Sequence, residues 1–286
     1  MKALVYGEIL WDICGKEETI GGAQLNFAAH LAHLGDEAYL ITAVGDDDLG
    51  KRAVDATAHH GIHTDFIKTN AHATGATLVS LDADGIPCYD VLQNTAYDNI
   101  EADAVMIEKI KALSPDLFNF NTLCQRGERS RKSLEAILEN CSFKEIFCDI
   151  NLRKDAFSRE TLKRCLQTAT ILKISDEEGH FLYDLGLLEK SGLPLPMAVA
   201  KAYPQVKIVL YTLGADGSQA LDTKTGILYE SGKPPKTNVV STVGAGDCFG
   251  ATFVSVLLSG GTIPEAIRAA TERCCLVVAS KEAVPF

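Results

Sequence analysis

Near the carboxyl-terminal end, Ser241-Thr242-Val243-Gly244-Ala245-Gly246-Asp247 leads directly into the helical run Cys248–Leu258. Small residues at a helix start leave backbone N–H groups pointing outward. Together with the helix dipole they make an anion site. Asp247 falls in the first helical turn, where Asp is common as a cap or as a complement to the dipole. At the mouth of an anion hole it can instead serve as a general base, taking the proton of a hydroxyl that attacks a bound phosphoryl group.

Four other segments could carry chemistry. Gly21-Gly22-Ala23-Gln24-Leu25-Asn26 precedes a helix rich in small residues. Paired glycines allow close backbone approach to a ligand, and the Asn26 amide suits vicinal hydroxyls. Taken alone, the segment reads better as a glycine turn with a buried, satisfied Asn. Asp12, after the first strand, can accept from a hydroxyl pair or sit as a loop or capping aspartate. Thr212-Leu213-Gly214-Ala215-Asp216-Gly217 leaves a long apolar strand. It is either a ligand loop at a carboxyl edge or a tight strand-to-strand turn. Lys173-Ile174-Ser175-Asp176-Glu177-Glu178 can supply part of a Mg²⁺ shell or match a helix dipole. Arg153, in Asp149-Ile150-Asn151-Leu152-Arg153, can steady a phosphate or pair with surface acids.

Short apolar runs alternating with helical patterns must position these residues. Strands are predicted at Ala3–Tyr6, Ala38–Ala43, Asp116–Phe120, Glu145–Ile150, Ile171–Ile174 and Val206–Thr212. Helices are predicted between them, ending with Asp247–Leu258 and Pro264–Ala279. This rhythm is that of an α/β sandwich with a mostly parallel sheet. Ala76–Asp82 and Cys88–Leu92 interrupt it as a β-hairpin turning at Asp84-Gly85. With no linker or repeat, residues 1–286 read as a single domain carrying a small β element.

Composition excludes several classes. The chain has 286 residues, 47% of them hydrophobic, which is enough for a large core. Its net charge of −11 argues against nucleic acid and against anionic membranes as partners. The nine cysteines contain no C-x-x-C pair, so reduced thiols in a cytoplasmic protein are expected. The amino terminus has no signal-peptide pattern, and no apolar run is long enough to span a membrane. The histidines lack partners at metal spacing. Arg126, Arg129, Arg131 and Lys132 read as a solvated basic face. No G-x-x-x-x-G-K-[ST] occurs, and Phe249 breaks the glycine fingerprint of a dinucleotide fold, which disfavours a nicotinamide oxidoreductase.

Taken together and in order, the segments resemble the ribokinase/pfkB family of carbohydrate kinases along nearly the whole chain. Gly21-Gly22 followed by Asn26, Ala28, Gly35 and Gly45 matches the family's amino-terminal signature, and Thr242–Asp247 its carboxyl-terminal one. The segments Gly7–Asp12, Asp149–Arg153 and Lys173–Glu178 look most like the bacterial fructokinase branch. The resemblance implies a ribokinase-like three-layer α/β/α sandwich whose β lid is drawn from about residues 12–20 and 76–92. It implies ATP-dependent phosphorylation of a sugar, fructose to fructose 6-phosphate, with Asp247 as base and the N–H groups of Gly244, Ala245, Gly246 and Asp247 as anion hole. Asp12, Gly22, Asn26 and Arg153 would face the sugar, Thr212, Gly214 and Gly217 the ATP, and Glu178 a Mg²⁺ ion through water. Two other readings stay open. One is a 2-keto-3-deoxygluconate, ribose or nucleoside kinase; the other is a non-catalytic sugar or nucleotide sensor on the same fold. Gln24 replaces the usual Pro, Ser175 an Asn, and Thr252 a smaller residue. Ser241 replaces an Asp that helps bind an activating potassium ion, which counts against K⁺ as a cofactor. The exposed edge of the lid hairpin offers a route to a homodimer by pairing with a second copy, while the sequence leaves the oligomeric state open.

Overall fold

The computed structural model describes residues 1–81, 87–153 and 156–286. The chain divides into two compact units, Lys2–Pro115 with Cys124–Ser142, and Asp116–Leu123 with Phe143–Phe286 and Met1.

The first unit contains β1 (Lys2–Tyr6), β2 (Leu10–Cys14), β3 (Glu17–Gly21), α1 (Ala23–His33), β4 (Glu37–Gly45), α2 (Asp48–His59), β5 (Ile67–Asn70), β6 (Gly75–Leu81), β7 (Pro87–Val91), α3 (Ala104–Leu113) and α4 (Glu128–Asn140). Strand β4 pairs in parallel with both β1 and β5. Leu4, Val5, Leu40 and Ile41 are fully buried, as expected of parallel strands covered on both faces. A separate sheet has the order β3-β2-β6-β7. Within it β2 runs antiparallel to β3 and parallel to β6, and β6 runs antiparallel to β7. The predicted turn at Asp84-Gly85 lies outside the described residues. Trp11 fastens this sheet: its indole N–H donates to Leu49 O at 3.0 Å, and the Arg52 guanidinium stacks 4.4 Å from its ring centre.

One basic residue departs from the solvated face expected of it. The Arg126 side chain is 11% exposed and grips Asp98 in a fork: Nε donates to Oδ1 and Nη2 to Oδ2, both at 2.8 Å. Nη2 also donates to Leu92 O and Tyr97 Oη, each at 2.7 Å. The fork pins the short segment Ala96–Asn99 beside the start of α4.

The second unit contains β8 (Leu117–Asn121), β9 (Glu145–Asp149), α5 (Arg159–Thr168), β10 (Ile171–Ser175), α6 (Asp176–Asp184), α7 (Leu195–Ala202), β11 (Ile208–Thr212), β12 (Ser218–Asp222), β13 (Ile227–Glu230), α8 (Ala245–Leu258) and α9 (Ile263–Val278). Its strands lie in the order β13-β12-β11-β10-β9-β8. The four from β8 to β11 are parallel, and β12 and β13 are antiparallel additions. Register aligns the carboxyl ends: Asn121 opposes Asp149, Asp149 opposes Lys173, and Ser175 opposes Thr212. Loops leaving these ends share one edge of the sheet, where open parallel sheets bind ligands. Helix α9 starts with a capping box between Thr262 and Glu265. No helix among the described residues is long and apolar enough to cross a membrane.

Candidate active site

In the second unit, Gly244 caps α8 in the left-handed region, with φ 78° and ψ −7°. A Cβ there would lie 2.6 Å from the Ala283 Cβ, so only glycine fits. The chain then enters α8 with Gly246 exposed and Asp247 half-buried. Of the expected anion donors, Ala245 N–H donates to Thr242 O at 3.2 Å, closing the turn before the helix. The N–H groups of Gly244 and Gly246 make no hydrogen bond to a described residue. Ser241 Oγ accepts from Val243 N–H at 3.2 Å.

Glu178 sits on α6 with both carboxylate oxygens engaged. Oε1 accepts from Leu152 N–H at 2.7 Å, and Oε2 from Ser175 N–H at 2.9 Å in a capping box. Glu178 thereby ties the Asp149–Arg153 loop to the end of β10. Among the described residues no group of three His, Cys, Asp or Glu could hold a metal ion. A cation at this edge would be bound chiefly by substrate phosphates and water, with the Glu178 carboxylate behind that water. Mg²⁺ is commonly held in this way.

Arg153 is exposed, and its side chain makes no hydrogen bond or ion pair to a described residue, so it does not pair with surface acids among them. Thr212, Gly214 and Gly217 form the turn from β11 to β12: Leu213 N–H donates to Gly217 O at 2.8 Å. The segment is thus a strand-to-strand turn that also stands at the carboxyl edge. Gly217 has φ +103°, and a Cβ on it would lie 2.1 Å from Gly232 O.

Sequence reasoning gave no role to two buried charges. Lys173 interrupts the apolar run of β10, and its Nζ donates to Asp149 Oδ2 at 2.6 Å. Burial pushes the Asp149 carboxyl up to about 6; Lys173 opposes that shift, while Glu178 and Asp247 add to it. Burial works against the Lys173 ammonium too, but Asp149, Glu178 and Asp247 outweigh it and hold its pKa above the ordinary value. The available signal was a charged residue in an otherwise buried strand, which demands a partner.

In the first unit, Asp12 lies mid-strand in β2, opposite Thr19 and Thr77, rather than in a loop or a helix cap. Its Oδ2 would be 3.2 Å from a Cβ on Gly21, which places the carboxylate against the glycine pair. Gly22 caps α1 with φ 112°, and Asn26 is buried on the first turn. Glu8 accepts from Ala23 N–H at 3.0 Å, which fixes that helix start. The structure therefore gathers Asp12, Gly22 and Asn26 in one unit and Gly244–Asp247, Glu178, Thr212, Gly214 and Gly217 in the other. In Gly22→Ala, a Cβ would meet Glu8 O at 2.7 Å in strained backbone. The expected cost is ~1–3 kcal/mol. Thermal melting checks it, at roughly 2–4 °C per kcal/mol.

A family model described as pfkB family carbohydrate kinase matches residues 14–285. Fructokinase-1 of Oryza sativa subsp. japonica is 27% identical over 286 residues, covering 93% of this chain and 84% of the relative. The aminoimidazole riboside kinase of Salmonella typhimurium is 28% identical over 247 residues, covering 80% of this chain and 70% of the relative. Among solved structures, an uncharacterized sugar kinase from Pyrococcus horikoshii in complex with ATP superposes with a TM-score of 0.82 at 21% identity. That match covers 99% of this chain and 94% of the other, and the shared fold is the ribokinase-like α/β fold with a mostly parallel sheet.

Proposed function

The chain belongs to the pfkB family of carbohydrate kinases, phosphotransferases with a sugar hydroxyl as acceptor, and from that premise we propose that it transfers the γ-phosphoryl group of ATP to fructose, giving fructose 6-phosphate. One observation carries the chemistry: a glycine-capped helix start where the Gly244 and Gly246 N–H groups make no hydrogen bond to a described residue and whose first turn holds Asp247. In this reading Asp247 takes the proton of the acceptor hydroxyl as its oxygen attacks the γ-phosphorus. The bond from that phosphorus to the bridging oxygen breaks, and the electron pair leaves with ADP. Backbone N–H groups of the Gly244–Asp247 turn meet the charge on the transferred group; on binding, the Ala245 N–H exchanges its long bond to Thr242 for phosphate. A Mg²⁺ ion arriving with ATP would neutralise phosphate charge, and Glu178 would hold it through water. Thr212, Gly214 and Gly217 line the nucleotide. Asp12, Gly22 and Asn26 hold the sugar hydroxyls, with Arg153 as a further contact, and the β3-β2-β6-β7 sheet closes over the sugar to exclude water.

The fructose assignment is supported by the fructokinase-like segments at Gly7–Asp12, Asp149–Arg153 and Lys173–Glu178, together with the rice relative. A nucleoside acceptor is the second reading, favoured by the likeness to an aminoimidazole riboside kinase. ADP release measured over a panel of sugars, sugar acids and nucleosides tests both. Fructose is expected to give the highest kcat/KM. A nucleoside or 2-keto-3-deoxygluconate outrunning it removes the sugar assignment. ATP binding without turnover on any acceptor points instead to a sensor.

A further inference from the structure

Lys173 sets a fixed positive charge directly behind the phosphate cradle. Its side chain is 6% exposed, and a Cβ on Gly246 would lie 3.2 Å from its Nζ, so the ammonium touches the first turn of α8. An ammonium carries three donors, yet the one hydrogen bond it makes to a described residue is to Asp149 Oδ2. The other oxygen, Asp149 Oδ1, is buried and has no hydrogen-bond partner among the described residues. A buried pair left this incomplete is a poor device for stability, since well-packed apolar residues do as well or better. Ile171, on the same face of β10, is buried and shows that an apolar side chain fits this layer.

The charges around it explain the arrangement better. Asp149 on β9, Glu178 on α6 and Asp247 on α8 all act electrostatically on Lys173, and the Cys274 thiol on α9 feels it as well. The Cys274 thiol stays neutral, because a hydrogen bond with Cys248 and burial raise its pKa. A bound nucleotide triphosphate would add more negative charge beside Asp247, opposing the ionised state that a base requires. We propose that Asp149 and Lys173 are a positioning pair: Asp149 holds the Lys173 ammonium under the first turn of α8, where its charge balances Asp247 against the nucleotide phosphates. The pair acts through Asp247 and the Gly246 backbone, and it rests on the reading of Asp247 as base.

The test compares Asp247→Asn with the double variant Lys173→Met/Asp149→Asn, which removes both charges and leaves no lone buried ion. The double variant is expected to melt close to the parent and to keep its sugar KM within about threefold, while kcat falls about 100-fold. The acid limb of its kcat profile moves up by about one pH unit or more. Lys173→Arg, which keeps the charge, restores part of kcat. If the double variant keeps the parent's kcat and pH profile while Asp247→Asn is inactive, the pair has no such role and the base reading stands. If Asp247→Asn stays active, the base reading falls and takes this inference with it. Should the double variant not fold, Lys173→Gln decides: it removes the ammonium while Asp149, whose carboxyl burial already pushes up, can take up a proton, and an unmoved acid limb overturns the proposal.

Discussion

Asp247→Asn leaves a folded protein whose kcat for sugar phosphorylation falls by ~10²–10⁴. The replacement is nearly isosteric and keeps a side chain able to serve a helix start. The fold loses the charge–dipole interaction at the start of α8, ~0.3–1 kcal/mol, together with the attraction between Asp247 and the Lys173 ammonium, so the melting temperature falls modestly. Binding of ATP survives, because the substitution removes a negative charge beside the phosphates rather than a donor. Calorimetric titration with ATP and ADP release at saturating sugar separate the two effects. A variant with the parent's kcat would remove Asp247 from the proton transfer altogether.

Gly244→Ala is the second large effect. The position has φ +78°, and a Cβ there would lie 2.6 Å from Ala283 Cβ and 2.8 Å from Ala283 O. The methyl cannot be accommodated unless either the turn or the carboxyl-terminal segment moves. Moving the turn re-aims the N–H groups, each worth ~10²–10³ in rate. The fold also loses ~1–3 kcal/mol of backbone compatibility. Gly260→Ala is the matched control: its φ is +94°, but no atom lies within 4 Å of its Cβ position. Both variants should melt lower than the parent, and only Gly244→Ala should lose kcat. Equal kcat losses in the two would mean that strain, not the cradle, explains the effect.

The glycine-capped start of α8 was legible in advance because its signals are local. Glycine spacing, a following helix pattern and one acid all lie within a few residues of each other. The parallel strands were legible because their apolar runs are nearly continuous. What escaped depends on partners far away in the chain. Strand β5, Ile67–Asn70, is short and carries Lys, Thr and Asn, so nothing in its pattern marks it; it forms because β4 offers an edge. The β12–β13 hairpin was missed for the same reason. Arg126 looked like one of a surface row until Asp98, reached only through the fold, buried it. Asp12 looked like a loop residue after the first strand, but pairing with Thr77 makes it part of a sheet. The meeting of Lys173 with Asp149 is a matter of parallel register, which periodicity does not encode.

The connection between β13 and α8 is fastened at both ends and irregular between them. Ser231 and Ser218 exchange hydrogen bonds at 2.9 Å at one end, and Val240 N–H donates to Val278 O at 2.7 Å at the other. Between the fastenings, Val239 is 61% exposed. The span therefore behaves like a cable slung between two posts. Its first residues are pinned as well, with Gly232 O packed against Gly217 and Lys233 Nζ paired to Asp216 Oδ1 at 2.9 Å, so only the stretch beyond Lys233 has slack to lengthen or shorten without disturbing the turn between β11 and β12.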